Sequence, residues 1–140
     1  MNTQEIISRT IGFLQKNAPR LQGIYLFGSR TSGDQQEDSD IDIAMLLYPV
    51  AARQMTGMQT FTLQCDLSFE LDSQVDLINL RQVDTVMQME IIHTGNLIFC
   101  ADTYACEEFE MLTLSFYQKL NEERADIMAR IMQTNRILLA

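Results

Sequence analysis

The segment Gly23–Leu47, GIYLFGSRTSGDQQEDSDIDIAMLL, decides the fold, because two strand-like patterns flank one polar stretch. The first pattern, Gly23–Phe27, is short, aromatic and β-branched, which is typical of a buried strand that ends at Gly28. In the second, Asp40–Leu47, β-branched residues alternate with carboxylates, which predicts another strand. The polar residues between them include Gly33, so they can loop out and let the two strands lie side by side.

Two aspartates stand one residue apart at the start of the second strand. Successive side chains of a strand point to opposite faces, so Asp40 and Asp42 share one face while Ile41 and Ile43 anchor the other in the core. Two carboxylates held side by side repel each other unless a cation lies between them. Oxygen ligands of this kind favour Mg²⁺, which keeps water molecules and completes its shell with substrate phosphate. The pair therefore predicts a magnesium site.

The residues that follow the first strand are suited to phosphate. Gly28 and Ser29 lie between that strand and an expected short helix. A glycine allows a phosphate to approach the backbone closely, and the N–H groups at a helix N-terminus attract anions. Ser29 adds a hydroxyl donor, and Arg30 and Thr31 are placed to assist, although neither is required for this binding mode. We therefore expect a polyphosphate at Gly28, Ser29 and Arg30.

A third carboxylate would complete a two-metal site. Asp76 lies on a third predicted strand, Ser73–Leu80, whereas Asp72 lies in the turn before it. Asp76 is preferred because a strand fixes a ligand better than a turn does. This assignment requires Asp76 to converge on Asp40 and Asp42, with Asp72 as the alternative.

Helical spacing accounts for two segments on either side of this region. Asn2 and Glu5 resemble a capping box that begins a helix ending near Lys16. Few breakers interrupt residues 50–70, and their apolar spacing predicts one long helix with a weak point at Gly57.

The C-terminal half of the chain continues the alternation of helices and strands. Asp84 is placed to cap a helix that we expect to end in a left-handed turn at Gly95. Asn96–Ala101 is a fourth predicted strand, and a long amphipathic helix follows Thr103. The order predicts an α+β fold, an α/β sandwich in which a small mixed sheet of about four strands is packed by helices.

Length and charge restrict the possible functions. The chain has 140 residues, of which 46% are hydrophobic, so we expect a single domain over residues 1–140. A net charge of −9 argues against an extended nucleic-acid surface, which needs clustered basic residues. The three cysteines lack the spacing of a zinc site and indicate reduced thiols, and no run of about 18 apolar residues is present to span a membrane. We therefore expect a cytoplasmic protein without direct nucleic-acid contacts.

These motifs together resemble a known family. Gly28-Ser29, followed by Asp40-Ile41-Asp42 and later by Asp76, resembles the signature of the nucleotidyltransferase superfamily that includes DNA polymerase beta and the aminoglycoside nucleotidyltransferases. The size and layout of the chain are similar to its minimal nucleotidyltransferase branch, the antitoxin partners of HEPN-domain ribonuclease toxins. The resemblance implies the nucleotidyltransferase fold over most of the chain.

The resemblance also implies an activity, the transfer of AMP from ATP to a tyrosine of a cognate HEPN toxin. Gly28, Ser29 and Arg30 would bind the nucleotide, and Asp40, Asp42 and Asp76 would be the catalytic and Mg²⁺-binding carboxylates. The choice of ATP follows from the resemblance alone, because no base-recognition pocket is evident in the sequence. A binding antitoxin without catalysis and a small-molecule nucleotidyltransferase are the alternatives, the second disfavoured by the lack of a second domain.

Overall fold

The computed structural model describes residues 2–28 and 40–134, and its strands form one four-stranded mixed sheet. Strand β1 is antiparallel to both β2 and β4, whereas β2 and β3 are parallel, which gives the order β3-β2-β1-β4. The predicted mixed sheet of about four strands is confirmed. The strands are β1 (Leu21–Phe27), β2 (Ile41–Leu47), β3 (Val75–Asn79) and β4 (Asn96–Cys100).

Five helices pack against this sheet within the described ranges. The predicted caps are present: the Asn2 side chain accepts a hydrogen bond from the Glu5 N–H at 2.9 Å, and Asp84 accepts one from the Met87 N–H at 2.8 Å. The predicted long C-terminal helix is also confirmed, with 31 residues. The helices are α1 (Thr3–Asn17), α2 (Pro49–Gln54), α3 (Gly57–Leu71), α4 (Thr85–Thr94) and α5 (Thr103–Gln133).

The prediction of one helix over residues 50–70 is wrong, because the segment forms the two helices α2 and α3. Thr56 separates them and starts α3 with a complete capping box. Its hydroxyl accepts from the Gln59 N–H at 3.1 Å, and the Gln59 side chain accepts from the Thr56 N–H at 2.9 Å. Gly57 is the first residue of α3, where low helix propensity costs less than in a helix interior. The Thr-x-x-Gln pattern was the available signal for this break.

The expected left-handed turn at Gly95 is also wrong. Gly95 ends α4 in an extended conformation, with φ −88° and ψ 174°, and its N–H donates to the Ile91 carbonyl at 2.8 Å. The reason for glycine here is space. A Cβ at this position would lie 2.5 Å from the Ile91 oxygen and 3.2 Å from the Leu26 oxygen. Gly95 thus allows α4 to end directly against β1.

Apolar side chains are buried on both faces of the sheet. Ile41 and Ile43 belong to the face that packs against α1, α2 and α3, and both are fully buried as predicted. Tyr25, Phe27 and Ala44 belong to the opposite face, which is covered by α4 and the first turns of α5. Even-numbered residues of β2 point to this second face, so Asp42 lies on this face, at the end of the strand.

The outer edge of β3 is covered by side chains of α3. The Leu77 N–H donates to the Gln64 side-chain oxygen at 2.9 Å, and the Val75 N–H donates to the Ser68 hydroxyl at 3.2 Å. These two donors point away from β2 and would otherwise require another partner. Helix α3 therefore fixes the position of β3 and also supplies acceptors for N–H groups on its outer side.

Helix α5 packs on the sheet by its first part only. Its buried residues are Cys106, Phe109 and Thr113, whereas its distal part is exposed, with Ile127 at 54% exposure. Among the described residues, no helix is both long and apolar enough to cross a bilayer. The large apolar side chains that α5 leaves exposed are Tyr104, Met111, Leu112, Leu114, Phe116, Ile127, Met128 and Met132.

Candidate active site

The three predicted catalytic carboxylates lie at one end of the β2–β3 pair. The parallel register of these strands places Asp42 directly opposite Asp76, and Asp40 immediately precedes β2. Asp42 is partly buried, whereas Asp40 and Asp76 are exposed. The register is held from the other face of the sheet, where the neighbouring residues of both strands are buried. A slip by one residue would turn these apolar residues outward, so the hydrophobic pattern also aligns the carboxylates.

The pKa of Asp42 reflects the charges of the two neighbouring carboxylates. Burial raises the pKa of the Asp42 carboxyl above its usual value, and the negative charges of Asp76 and then Asp40 raise it further. A carboxylate in this position is more costly to ionise than one in water. A cation placed among the three groups would reverse the effect, because it would stabilise every ionised form.

The residue composition fits a divalent metal, although the described residues do not form a complete metal cage. Three carboxylates are hard oxygen donors, the kind that Mg²⁺ prefers. Within residues 2–28 and 40–134, however, no three acidic, histidine or cysteine side chains are close enough to enclose an ion as they stand. A coordination shell would therefore need side-chain movements and non-protein ligands in addition to these carboxylates.

Gly28 lies against the Asp42 carboxylate. It follows β1, whose last residue, Phe27, is the register partner of Asp42. Its φ of 79° is in the left-handed region, and a Cβ built on it would collide with the carboxylate and lie 3.0 Å from Asp42 Cγ. The predicted phosphate-binding glycine and the predicted metal ligand are thus in contact. Ser29 and Arg30, the other predicted nucleotide-binding residues, lie outside the described residues.

Asp72, the alternative third carboxylate, is located elsewhere. It ends α3 in the left-handed region, with φ 48° and ψ 42°, and its N–H donates to the Phe69 carbonyl at 3.3 Å. It precedes β3 and has no register partner in the sheet. The charges that act on Asp42 come from Asp76 and Asp40. The structure therefore brings Asp76 to the pair, and Asp72 serves as a helix end.

A cleft that the sequence did not predict opens beside Gly28. Its volume of about 450 Å³ falls within the range of small-molecule sites. A somewhat larger cleft between α1, α2 and α3 lies on the other side of the molecule and contains no acidic residue. No sequence signal could have found the cleft at Gly28, because it forms only when α4 packs beside the end of β1. It is lined by Phe27, Gly28, Asp84, Val86, Met87, Glu90 and Thr94.

Gly28→Ala is expected to destabilise the protein by roughly 1–2 kcal/mol from the left-handed backbone alone, and further through displacement of the Asp42 carboxylate. Chemical denaturation would measure the change. Gly12→Ala is the matched control, because Gly12 lies in α1 with no atom within 4 Å of a built Cβ. That change should stabilise the helix by roughly 0.5–1 kcal/mol. Equal effects of the two substitutions would contradict the contact described at Gly28.

The chain is similar in sequence to known nucleotidyltransferases. The family model described as polymerase beta nucleotidyltransferase matches residues 9–104, a range that includes Gly28, Asp40, Asp42 and Asp76. Among curated proteins, the chain is 38% identical over 125 residues to protein adenylyltransferase MntA of Shewanella oneidensis. The match covers 89% of this chain and 86% of that protein.

Two solved structures extend the comparison. A toxin–antitoxin crystal structure with AMP-PNP matches 90% of this chain and 98% of its own, at a TM-score of 0.77 and 36% identity. A chain from the complex of a tri-AMPylated Shewanella oneidensis HEPN toxin with an MNT antitoxin matches 92% of this chain and 98% of its own, at a TM-score of 0.73 and 34% identity. Sequence and fold agree, and the chain belongs to the polymerase beta nucleotidyltransferase family.

Proposed function

We propose that this protein is an antitoxin that acts as a protein adenylyltransferase, transferring AMP from ATP to a tyrosine of a cognate HEPN-domain toxin and so neutralising it. The observation that carries the proposal is the alignment of Asp42 with Asp76, beside Asp40 and against Gly28. The related MntA is named a protein adenylyltransferase, and a similar antitoxin is found with an AMPylated HEPN toxin. Both relationships cover nearly the whole chain.

Each residue of the site has a proposed part in the reaction. The backbone at Gly28, with Ser29 and Arg30, holds the phosphates of ATP, in keeping with the AMP-PNP found in a similar complex. Asp40, Asp42 and Asp76 would hold Mg²⁺, which when bound neutralises charge on the α-phosphate and the departing pyrophosphate. The carboxylates also orient the tyrosine hydroxyl and help it to lose its proton during in-line attack.

The cleft beside Gly28 offers room for the nucleoside of ATP. It begins at the residue that would bind the phosphates and extends along α4. Its walls combine apolar side chains, Phe27 and Met87 among them, with the carboxylate of Glu90 and the hydroxyl of Thr94. Walls of this mixed character suit a base and a ribose, which need both stacking surface and hydrogen-bonding groups.

A stoichiometric binding antitoxin is the second candidate, and the surface of α5 is suited to the toxin contact that it requires. This helix leaves large apolar side chains exposed, with Met111 at 72% and Phe116 at 57% exposure. Apolar surface of this kind is typical of protein–protein contacts. Such a surface would serve an enzyme that must grip its protein substrate equally well, so the surface alone does not separate the two candidates.

The separating experiment uses the purified protein, the HEPN toxin encoded next to it, Mg²⁺ and labelled ATP. We expect label on a tyrosine of the toxin, with loss of its RNA cleavage in parallel. The variant with both Asp40→Ala and Asp42→Ala should bind the toxin but transfer no label. Label that persists with the double variant would overturn the proposed site, and neutralisation without label would establish the binding candidate instead.

A further inference from the structure

Two cysteine sulfurs lie next to each other at the junction of β4 and α5. Cys100 is the last residue of β4 and is exposed, whereas Cys106 lies in the second turn of α5 and is only 2% exposed. Their Sγ atoms are 3.2 Å apart. A disulfide has an S–S distance of about 2.05 Å, so the sulfurs would need to approach by only about 1 Å.

The backbone of β1 is adapted to the buried sulfur. The Cys106 thiol is 3.5 Å from the Gln22 carbonyl, to which it donates. A Cβ on Gly23 would lie 2.9 Å from Cys106 Sγ, closer than real carbon atoms come to such a neighbour. The glycine therefore leaves the space in which this sulfur faces Cys100.

The pair is separate from the carboxylate site. Gly23 is the register partner of Cys100 near the beginning of β1, whereas Phe27, at its end, is the partner of Asp42. Four residues of extended strand separate these points, which is about 13 Å. Neither cysteine has a part in the proposed adenylyl transfer, so their proximity needs a different explanation.

We propose that Cys100 and Cys106 form a dithiol pair that hydrogen peroxide converts to an intramolecular disulfide. The Cys100 sulfur attacks the peroxide, whose O–O bond breaks, and gives a sulfenic acid and one water. The Cys106 sulfur then attacks the Cys100 sulfur, the S–O bond breaks, and a second water leaves with the thiol proton. Two thiols have then lost two electrons to one peroxide, and the product joins β4 to α5.

The different environments of the two thiols set the order of these steps. Cys100 is open to a small oxidant, whereas Cys106 is shielded by the sheet and α5. Burial raises the pKa of the Cys106 thiol to about 12, with further contributions from the hydrogen bond and charge of Cys100. Cys100 is therefore the sulfur that meets the oxidant first, and Cys106 is the sulfur placed to attack it next.

The test is oxidation of the full chain with Cys65 changed to serine. Cys65 is an exposed thiol on α3, and its removal leaves the pair as the only cysteines. After treatment with hydrogen peroxide, we expect both thiols to become unreactive toward an alkylating reagent at the same rate. The mass of the chain should decrease by two hydrogen atoms, and dithiothreitol should reverse both changes. The product should migrate as a single chain without reductant.

Two further variants in the Cys65→Ser background separate the roles. With Cys106→Ala, Cys100 should accumulate as a sulfenic acid that dimedone traps. With Cys100→Ser, Cys106 should keep its thiol under the same treatment. Oxidation of Cys100 to sulfinic or sulfonic acid with Cys106 still reduced, in the protein that retains both cysteines, would overturn the proposal, as would a disulfide between two chains. This measurement needs no substitution in the buried position.

Discussion

Asp42→Asn is expected to reduce AMP transfer by on the order of 10³-fold, the largest effect of any single substitution proposed for this site. Asp42 is the carboxylate that both other acidic residues act on, and it is the one in contact with Gly28. Asparagine keeps the size of the side chain but removes the charge that would hold Mg²⁺. Initial rates of label transfer to the toxin, at saturating ATP, would measure the loss.

The same substitution should leave the folded protein as stable or more stable when Mg²⁺ is absent. Asp42 and Asp76 are direct cross-strand partners, and like charges in such positions destabilise a sheet by roughly 0.2–1 kcal/mol. Mg²⁺ should raise the Tm of the wild type and have little effect on the Tm of the variant, because ligand binding stabilises only the form that binds. This readout is independent of the toxin.

The pH dependence of stability follows from the raised pKa of Asp42. Between the ordinary pKa of aspartate and the raised value, the folded state holds more protons than the unfolded state. Stability contributed by this group therefore falls as the pH rises through that window, and the full penalty applies above it. Asp42→Asn should lack this fall, and Mg²⁺ should suppress it in the wild type by competing with protons.

Asp66→Asn is the matched control for Asp42, because Asp66 is an exposed carboxylate on α3 and is not among the groups whose charge raises the pKa of Asp42. It should change neither the transfer rate nor the response to Mg²⁺. If Asp42→Asn retained wild-type transfer and a wild-type Mg²⁺ response, the assignment of the carboxylate site would be wrong. A stable variant without transfer would support it, since misfolding could not then explain the loss.

Asp76→Asn is expected to reduce AMP transfer on the order of 10²-fold or more, whereas Asp72→Asn should leave it unchanged. The two aspartates are four residues apart, but only Asp76 lies on β3 opposite Asp42. Asp72 occupies a left-handed position at the end of α3, which asparagine tolerates well. Asparagine is therefore a mild change for the fold at both positions, and a difference in activity would report on the site.

Parallel assays of these two variants, with thermal denaturation as the check on folding, would make the comparison. Loss of transfer with Asp72→Asn and retention with Asp76→Asn would reassign the third carboxylate. Loss with both, without a change in Tm, would mean that the site extends from β3 to the end of α3. The exposed position of Asp76 makes a large loss of stability unexpected in its case.

Much of this site follows from local patterns in the sequence. The alternation in Asp40–Ile43 was enough to place both aspartates on one face and both isoleucines in the core, because side-chain direction in a strand depends only on residue parity. The helix caps at Asn2 and Asp84 were also predictable from the sequence, because each involves residues only three positions apart. Interactions between residues this close in the chain can be predicted from a short stretch of sequence.

The rest depends on contacts between distant residues. The alignment of Asp42 with Asp76 is set by the register of β2 and β3. That register depends on the burial of both strands together, so it cannot be predicted from either strand alone. The sequence context of Gly95 suggested a left-handed turn. Glycine is needed there because the end of α4 lies against β1 and leaves no room for a Cβ. The cleft beside Gly28 is likewise a product of packing.

The cover that Gln64 and Ser68 place over the outer edge of β3 has a consequence for assembly. An uncovered edge strand is a template on which a strand of another chain can add, and repeated addition leads to aggregates. With these N–H groups already engaged, the edge that carries Asp76 is closed to such growth. A protein held at high local concentration in a multi-chain complex can thus display its acidic residues at a sheet margin without polymerising through it.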